Sequence, residues 1–512
     1  MAHLDLKVGA PTVSVELAKE YMERYKDEFH KKSAITNLVN EPNILLCKKK
    51  LVEKIEENTE LFCQLEHLLR KKPMDEVKNI DLKIIKNSLL DNFSWASCTD
   101  SVTFTDTTPL ALLAIFSYNY VNDKEFRVVG TEQTTPLCYL FVKLCRDVGL
   151  NNVTFGLTDK KIDKCMFFNK FTCAGVVTEK SDINSAVDAF LLSSSQHPWS
   201  LKRIFVQENV YETFKKCIEG KSKLKEQENA KVTEDVKKLA NELYVYKNKV
   251  FMFDFAGDYD SLVDSTVHNI CVEAYRTTKE VLSLIQNVNF LSLWSSDIAE
   301  AHEIAVAAPS TLIWVNDIDN MDGPPFICRW LPTLHYNLFY KETNYKLILS
   351  KKSIVTSFTT WGSKYDTKRR SKIIWEAFNN FKSEDITSSA NELVKLVEKE
   401  ILHVQSHNSL EIDNGTMYMS VGLPVGVLPL AVTKLEDVLI MIRSLLLGNG
   451  CVIYKGDTDV TKILPRFRSF LETLIKAGVP VLDSTKDEAS SVKENYVTYK
   501  TIVSNFGTIF AN

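Results

Sequence analysis

Apolar positions recur at helical spacing through the first hundred residues. Val15–Lys26 opens the series, and Lys50–Arg70 sets Leu51, Ile55, Leu61, Leu65 and Leu69 in one stripe with charges between them. Asp81–Leu90 repeats the arrangement over a shorter span. Such stripes predict amphipathic helices that bury one side, here against a sheet. The period then changes. Leu110–Phe116 is apolar without interruption, as expected of a parallel strand buried on both faces, and Glu125–Val129 reads as a second strand. Pro136–Val148 returns to a helical period through Leu137, Leu140, Phe141 and Leu144, with Gly149 placed to end it. Val153–Leu157 is a third strand, so the order predicts a parallel βαβ unit.

The same order returns near the other end. Val425–Val432 is apolar, Val438–Leu447 is helical up to Gly448-Asn449-Gly450, and Cys451–Tyr454 is a strand. Phe467–Lys476 is a helix ending at Ala477-Gly478, followed by strand Val479–Leu482. The two stretches repeat one supersecondary unit, with Arg127-Val128-Val129-Gly130 matching Val452-Ile453-Tyr454-Lys455. The first copy lacks the helix that Val438–Leu447 supplies to the second. Between them lie a strand and helix over Arg203–Cys217, a charged helix over Gly220–Glu242, a strand and helix over Cys271–Gln286, and Leu291–Asn316. Gly323–Leu349 is aromatic without a clear period, and Lys351–Ala390 is a polar, basic linker or docking helix.

Composition narrows the function classes. With 512 residues, 45% hydrophobic and 25% charged, the chain has material for several globular domains. A net charge of −4, with both signs interleaved, gives no reason to expect nucleic acid or an anionic membrane. The longest apolar stretch, Val421–Leu447, is interrupted by Lys434, Glu436, Asp437 and Arg443, so no membrane span is expected. Lys221–Lys238 reads as a solvated helix face. His403 and His407 stand four apart without an acid between them, so no metal site is expected. Eleven cysteines without a C-x-x-C pair, and no secretory signal at Met1–Ala10, point to reduced thiols in the cytoplasm. Only 17 residues are glycine, about half the usual ~7%. Backbones that approach a pyrophosphate depend on glycine, so a phosphate cradle has to be found residue by residue.

Several phrases carry a resemblance. Phe116-Ser117-Tyr118-Asn119-Tyr120, Glu132-Gln133-Thr134-Thr135-Pro136 and the helix start Asp182–Val187 occur in that order. Arg203–Glu208 with Tyr211 and Phe214, then Trp294-Ser295-Ser296-Asp297, Ala301 and Thr311–Asn316 follow. In this order over Leu110–Asn316 they resemble the aldehyde dehydrogenase superfamily. Pro424-Val425-Gly426-Val427, Gly448-Asn449 and Val452–Lys455 resemble its cofactor-domain landmarks again, but after the catalytic-like region. A full unit followed by a partial second one resembles family 16 of that superfamily, which includes members without the catalytic cysteine.

The resemblance implies an α/β, aldehyde dehydrogenase-like fold: a Rossmann-type parallel sheet, a catalytic-like α/β lobe and a second partial Rossmann-like unit. The expected divisions are 1–175 for N-terminal helices and a degenerate cofactor-binding-like domain, 176–320 for the catalytic-like domain, 321–400 for a connecting segment, and 401–512 for the partial second unit.

The chemistry can be matched residue by residue. The family's nucleophilic cysteine falls on Pro198, which has neither a thiol nor the backbone N–H that serves the oxyanion. Gln196 and Asn119 match a glutamine beside the nucleophile and the oxyanion asparagine, as vestiges; Ser195 replaces a glycine. The segment where the base motif belongs holds Glu179, read as an exposed carboxylate. Phe167–Lys170 replaces a Gly-Ser-Thr phosphate turn, and the ribose-pairing lysine falls on Val129 or Gly130. Asp264 is a poor match to the nicotinamide-ribose carboxylate. Glu132 and Lys455 are vestigial cofactor-side matches. His197 reads as a surface or packed histidine. No cofactor is therefore expected. The implied function is a catalytically inactive protein acting as a structural, scaffolding or regulatory partner of other proteins, with homodimerisation implied by the superfamily. Two alternatives stay open: a nucleotide- or small-ligand-binding module using Lys455, and an NAD(P)-dependent aldehyde dehydrogenase with a nonstandard nucleophile among Cys165, Cys173 and Cys217.

Overall fold

A computed structural model describes residues 14–29, 43–91, 101–104, 110–119, 125–157, 172–195, 197, 199–224, 232, 237, 240–255, 268–333, 356–384, 408–433, 435–455, 467–488 and 497–505. The chain forms two compact units: Met1–Asn92 with Thr99–Lys164, and Phe93–Cys98 with Cys165–Asn512.

The first unit opens with α1 (Glu16–Tyr25), α2 (Ile44–Glu57), α3 (Thr59–Arg70) and α4 (Leu82–Leu90). The stripe over Lys50–Arg70 is two helices, not one. At Asn58 the side-chain amide donates to Lys54 O and competes with the helix ladder, while the Asn58 carbonyl takes the first N–H of the next helix, from Phe62. β1 (Ser101–Phe104) leads to a 3₁₀ turn over Leu110–Ala114 and α5 (Ile115–Asn119).

Leu110–Phe116, expected as a buried strand, is therefore helical. Its run Leu-Ala-Leu-Leu-Ala-Ile-Phe has one β-branched residue among strong helix formers, and a helix buried on all sides is as continuously apolar as a buried strand. Phe116 packs edge-on against Phe126 and Phe141. This segment is also the helix that the first copy of the repeat was expected to lack.

β1, β2 (Phe126–Gly130) and β3 (Val153–Leu157) form a parallel sheet in that order, with α6 (Thr135–Asp147) crossing from β2 to β3. Gly149, at φ +93°, ends α6 in the left-handed region as its position predicts. α2 and α3 lie against α6.

In the second unit, β4 (Cys173–Val177) leads through α7 (Ile183–Leu192) to β5 (Leu201–Gln207) and α8 (Glu208–Lys223). A hairpin, β6 (Ala240–Tyr246) and β7 (Lys249–Phe255), precedes β8 (His268–Tyr275) and α9 (Thr278–Leu284). Next come β9 (Phe290–Trp294), α10 (Ile298–Ala307) and β10 (Leu312–Val315), then α11 (Thr356–Lys364) and α12 (Thr367–Glu384). The remaining strands are β11 (Ser409–Asp413), β12 (Thr416–Pro424), β13 (Val427–Val432), β14 (Gly450–Lys455), β15 (Val481–Glu488) and β16 (Val497–Asn505), with α13 (Leu435–Leu446) before β14 and α14 (Phe467–Lys476) before β15.

Ten strands form one sheet in the order β11-β12-β16-β10-β9-β4-β5-β8-β7-β6. The run from β16 to β7 is parallel, and an antiparallel pairing closes each side. On one face α9 and α10 bury Val281, Ala301, Ile304 and Ala305 against Leu291, Leu293, Ile313 and Ile502. On the other, the Phe190 ring of α7 lies over Gly175, where an added Cβ would come within 2.7 Å of Cζ. β13, β14 and β15 make a separate parallel sheet with the same strand–helix order as the first unit, so the internal repeat is real in three dimensions.

Three expectations need correction. The division at 175 falls inside β4, a central strand of the second unit's sheet. Residues 401–512 do not form a unit apart, because β11, β12 and β16 pair into the ten-stranded sheet beside β10. The charged helix over Gly220–Glu242 stops at Lys223, and Ala240 already begins β6. In Lys351–Ala390 the described residues are helical, and α12 docks on α13 and α14. His403 and His407 lie outside the described residues.

Buried cations close three helix ends. Lys249 Nζ donates to the carbonyls of Phe190, Leu191 and Ser193 at the C-terminal end of α7. Lys500 Nζ does so to Ala305, Val306 and Ala308 at the C-terminal end of α10. Arg370 Nε reaches Leu446 O at the end of α13. Carbonyls at a helix C-terminus have no partner within the helix and carry the negative end of its dipole, so a buried cation satisfies both demands.

Candidate functional site

The position of greatest interest lies between α7 and β5. Asp182 starts α7, its carboxylate accepting from Ser185 N and Ser185 Oγ, which matches the helix start expected there. Past the Lys249-bound end of α7, Ser194 N–H donates to Asp319 Oδ2 at 2.7 Å, and Ser194 Oγ lies 2.5 Å from His197 Nδ1. Ser200 Oγ accepts from His197 N and donates to His197 O, while Asn248 Nδ2 donates to Ser195 Oγ. Gln196 and Pro198 lie outside the described residues.

The His197 ring stacks on Trp199 at 4.9 Å, and Trp199 meets Trp330 edge-on at 5.6 Å and Phe290 at 5.7 Å. A serine oxygen on an imidazole nitrogen is the pairing of an activated nucleophile. Here both side chains are at most 5% exposed over that aromatic cluster, and the pair serves as an internal hydrogen bond. His197 is thus a packed histidine.

His268, the first residue of β8, also points here. Its Nε2 donates to Leu201 O at 2.5 Å, and burial, reinforced by the charges of Lys249 and Lys202, brings the imidazole down to about 4. Lys249, His268, Asn248, Asp319 and Trp330 were not found from sequence. They meet partners 53 or more residues away along the chain, and no local pattern marks them.

The carboxyl edge of a parallel sheet is where ligands of open α/β folds bind, and helix N-termini there attract anions. In this protein three of those helix starts are filled from within. Asp182 caps α7, Thr277 Oγ1 accepts from Glu280 N at α9, and Asp297 Oδ1 accepts from Ala299 N and Glu300 N at α10. Glu179, beyond β4, is the exposed carboxylate expected, accepting from Asn209 Nδ2 at 2.7 Å.

In the first unit the turn Glu132–Pro136 opens α6. Thr134 Oγ1 accepts from Thr131 N and donates to Phe104 O, and Thr135 Oγ1 donates to Thr131 O, so the turn is closed on itself. Glu132 stands exposed on it. Val129 and Gly130 end β2, and an added Cβ at Gly130 would lie 3.0 Å from Cys138 Sγ, so the strand end packs directly on α6. Arg70 pairs with buried Glu66 and lies over the Phe104 ring; Lys72 pairs with buried Asp81. Asn119 closes α5, and Lys455 ends β14. Cys165, Phe167–Lys170 and Asp264 lie outside the described residues.

All nine described cysteines are free. Burial raises the Cys173 thiol well above its ordinary value, and it brings Cys138 and Cys271 to about 12. Cys217, half-buried on α8, is also raised by burial, and its Sγ donates to Asn184 Oδ1 at 3.1 Å. Among the described residues no three His, Cys, Asp or Glu side chains gather as a metal site, and no helix is long and apolar enough to cross a membrane.

No protein-family profile matches the chain, and no curated protein sequence matches it. Among solved structures it is similar to an aldehyde dehydrogenase from Bacillus cereus in its NAD+ complex, with 15% identity, a TM-score of 0.43, and 60% of this chain and 82% of that one covered. It is also similar to betaine aldehyde dehydrogenase from Staphylococcus aureus in complex with NAD+, at 14% identity and a TM-score of 0.40 over 59% and 78%. Salicylaldehyde dehydrogenase from Pseudomonas putida G7 complexed with salicylaldehyde gives 13% identity and a TM-score of 0.42 over 59% and 81%.

Proposed function

We propose that the chain is an aldehyde dehydrogenase-like protein of the family 16 layout that performs no aldehyde oxidation and works in the cytoplasm as a structural or regulatory binding partner. The state of its thiols carries this reading. Oxidation of an aldehyde by this route needs a thiolate poised at the carbonyl, and a thiolate at neutral pH needs a lowered pKa. Every described cysteine with a shift has it upward, including two of the three stand-ins, Cys173 and Cys217. Pro198 at the matched nucleophile position and the self-closed turn after Gly130 support the same reading.

The test is cofactor reduction by the purified full chain with NAD+ or NADP+ and a panel of short aliphatic and aromatic aldehydes. No reduction above the protein-free rate is expected. Turnover that disappears in Cys173→Ala or Cys217→Ala overturns the proposal. Calorimetric titration with NAD+ and NADP+ separates it from a ligand-binding module, since a partner without a cofactor site gives no saturable heat.

A further inference from the structure

β11 and β12 are joined by two residues, Asn414 and Gly415, with φ +47° and +79°. Two successive residues in the left-handed region make a type I′ turn, which Asn-Gly adopts more readily than other pairs. The ladder closes on Asp413 and Thr416, so the Gly415 N–H lies outside it. Asn414 and Gly415 are exposed, as are Glu411, Ile412 and Asp413 before them. β11 pairs along one side only, so the tip of the hairpin opens without disturbing the rest of the sheet.

The same dipeptide occurs once more, at Asn449-Gly450, in a different setting. Asn449 is fully buried; its Oδ1 accepts from Gly426 N and its Nδ2 donates to Ser444 O. The Gly450 N–H donates to Gly426 O. The side-chain amide and the following main-chain nitrogen are thus both engaged at the inner pair.

We propose that Asn414 is a site of spontaneous deamidation, and that the fold confines this modification to the hairpin tip and spares Asn449. Base takes the proton from the Gly415 N–H, and the nitrogen attacks Asn414 Cγ. The new C–N bond closes a five-membered succinimide as the Cγ–Nδ2 bond breaks, and ammonia leaves carrying a proton returned by the base. Water then opens the ring, giving aspartate by attack at Cγ and isoaspartate by attack at the main-chain carbonyl. Nothing is oxidised or reduced; the net change is water in and ammonia out. Glycine leaves the attacking nitrogen uncrowded, since it has no Cβ. In a type I′ turn the main chain holds that nitrogen away from Cγ, so the ring closes while the tip is open. Aspartate sets a further negative charge beside Glu411 and Asp413. Isoaspartate lengthens the main chain of a two-residue turn by one carbon, which breaks the register that pairs Leu410 with Met419. β12 keeps its place, because β16 pairs with its other side.

The test is incubation of the full chain for weeks in mildly alkaline buffer, followed by digestion and mass spectrometry of the peptides that carry the two asparagines. Conversion at Asn414 should exceed that at Asn449 by ~10-fold or more, because the buried site must pay a larger opening free energy before it reacts. In denaturing urea the two sites should convert at similar rates, since each precedes a glycine and neither is protected. Asn414→Gln, whose side chain would have to close a six-membered ring, should leave position 414 unconverted. Hydrogen exchange on the aged chain gives a second readout, with protection lost over β11 and kept over β12. No conversion at Asn414 in the native chain overturns the proposal, as does native conversion at Asn449 that is equally fast.

Discussion

His268 makes this protein acid-sensitive through one identifiable group. In the unfolded chain its imidazole takes a proton near the ordinary value of 6.5, whereas in the fold it does so only near 4, because burial and the adjacent Lys249 and Lys202 disfavour the cation. Above about pH 6.5 the ring is neutral in both states and the term vanishes. As the pH falls from there towards 4, the unfolded chain alone gains the proton, so stability declines across that window. The full effect is about 3 kcal/mol, and the share between about pH 7 and about pH 5 is about 2 kcal/mol.

His268→Gln keeps an N–H for the Leu201 carbonyl and cannot titrate. Urea unfolding followed by tryptophan fluorescence, read from the seven tryptophans of the chain, gives the stability of each protein at both pH values. The wild type should lose about 2 kcal/mol more than the variant on acidification. Parallel losses in the two proteins would refute the reasoning, since carboxylates common to both would then account for the acid response.

Two further outcomes follow from the packing around the same loop. Lys249→Met strands the carbonyls of Phe190, Leu191 and Ser193 and should lower stability by about 2–4 kcal/mol in denaturant titration, while an unchanged midpoint would mean that these carbonyls find other donors. Gly175→Ala drives a methyl into the Phe190 ring and should cost about 1–3 kcal/mol, with most of that recovered in the double variant carrying Phe190→Leu; no recovery would place the strain elsewhere.

Local signals in the chain were enough for elements whose boundaries are set by nearby residues. α6 runs to a glycine that adopts the left-handed conformation, α7 begins at an aspartate that caps it, and α14 occupies the span its apolar period marks. The repeated βαβ order was legible for the same reason, because period and capping act within a few residues. Leu110–Phe116 was not, since full burial erases the period that separates helix from strand. Nor could any local pattern show that β16, near the C-terminus, lies between β10 and β12, or that β4 belongs to the second unit. Strand order depends on pairing between distant segments. The candidate site follows the same division: Pro198 and Asp182 stand in the sequence itself, whereas Lys249, His268 and Asp319 reach the α7–β5 loop only because the sheet carries them there.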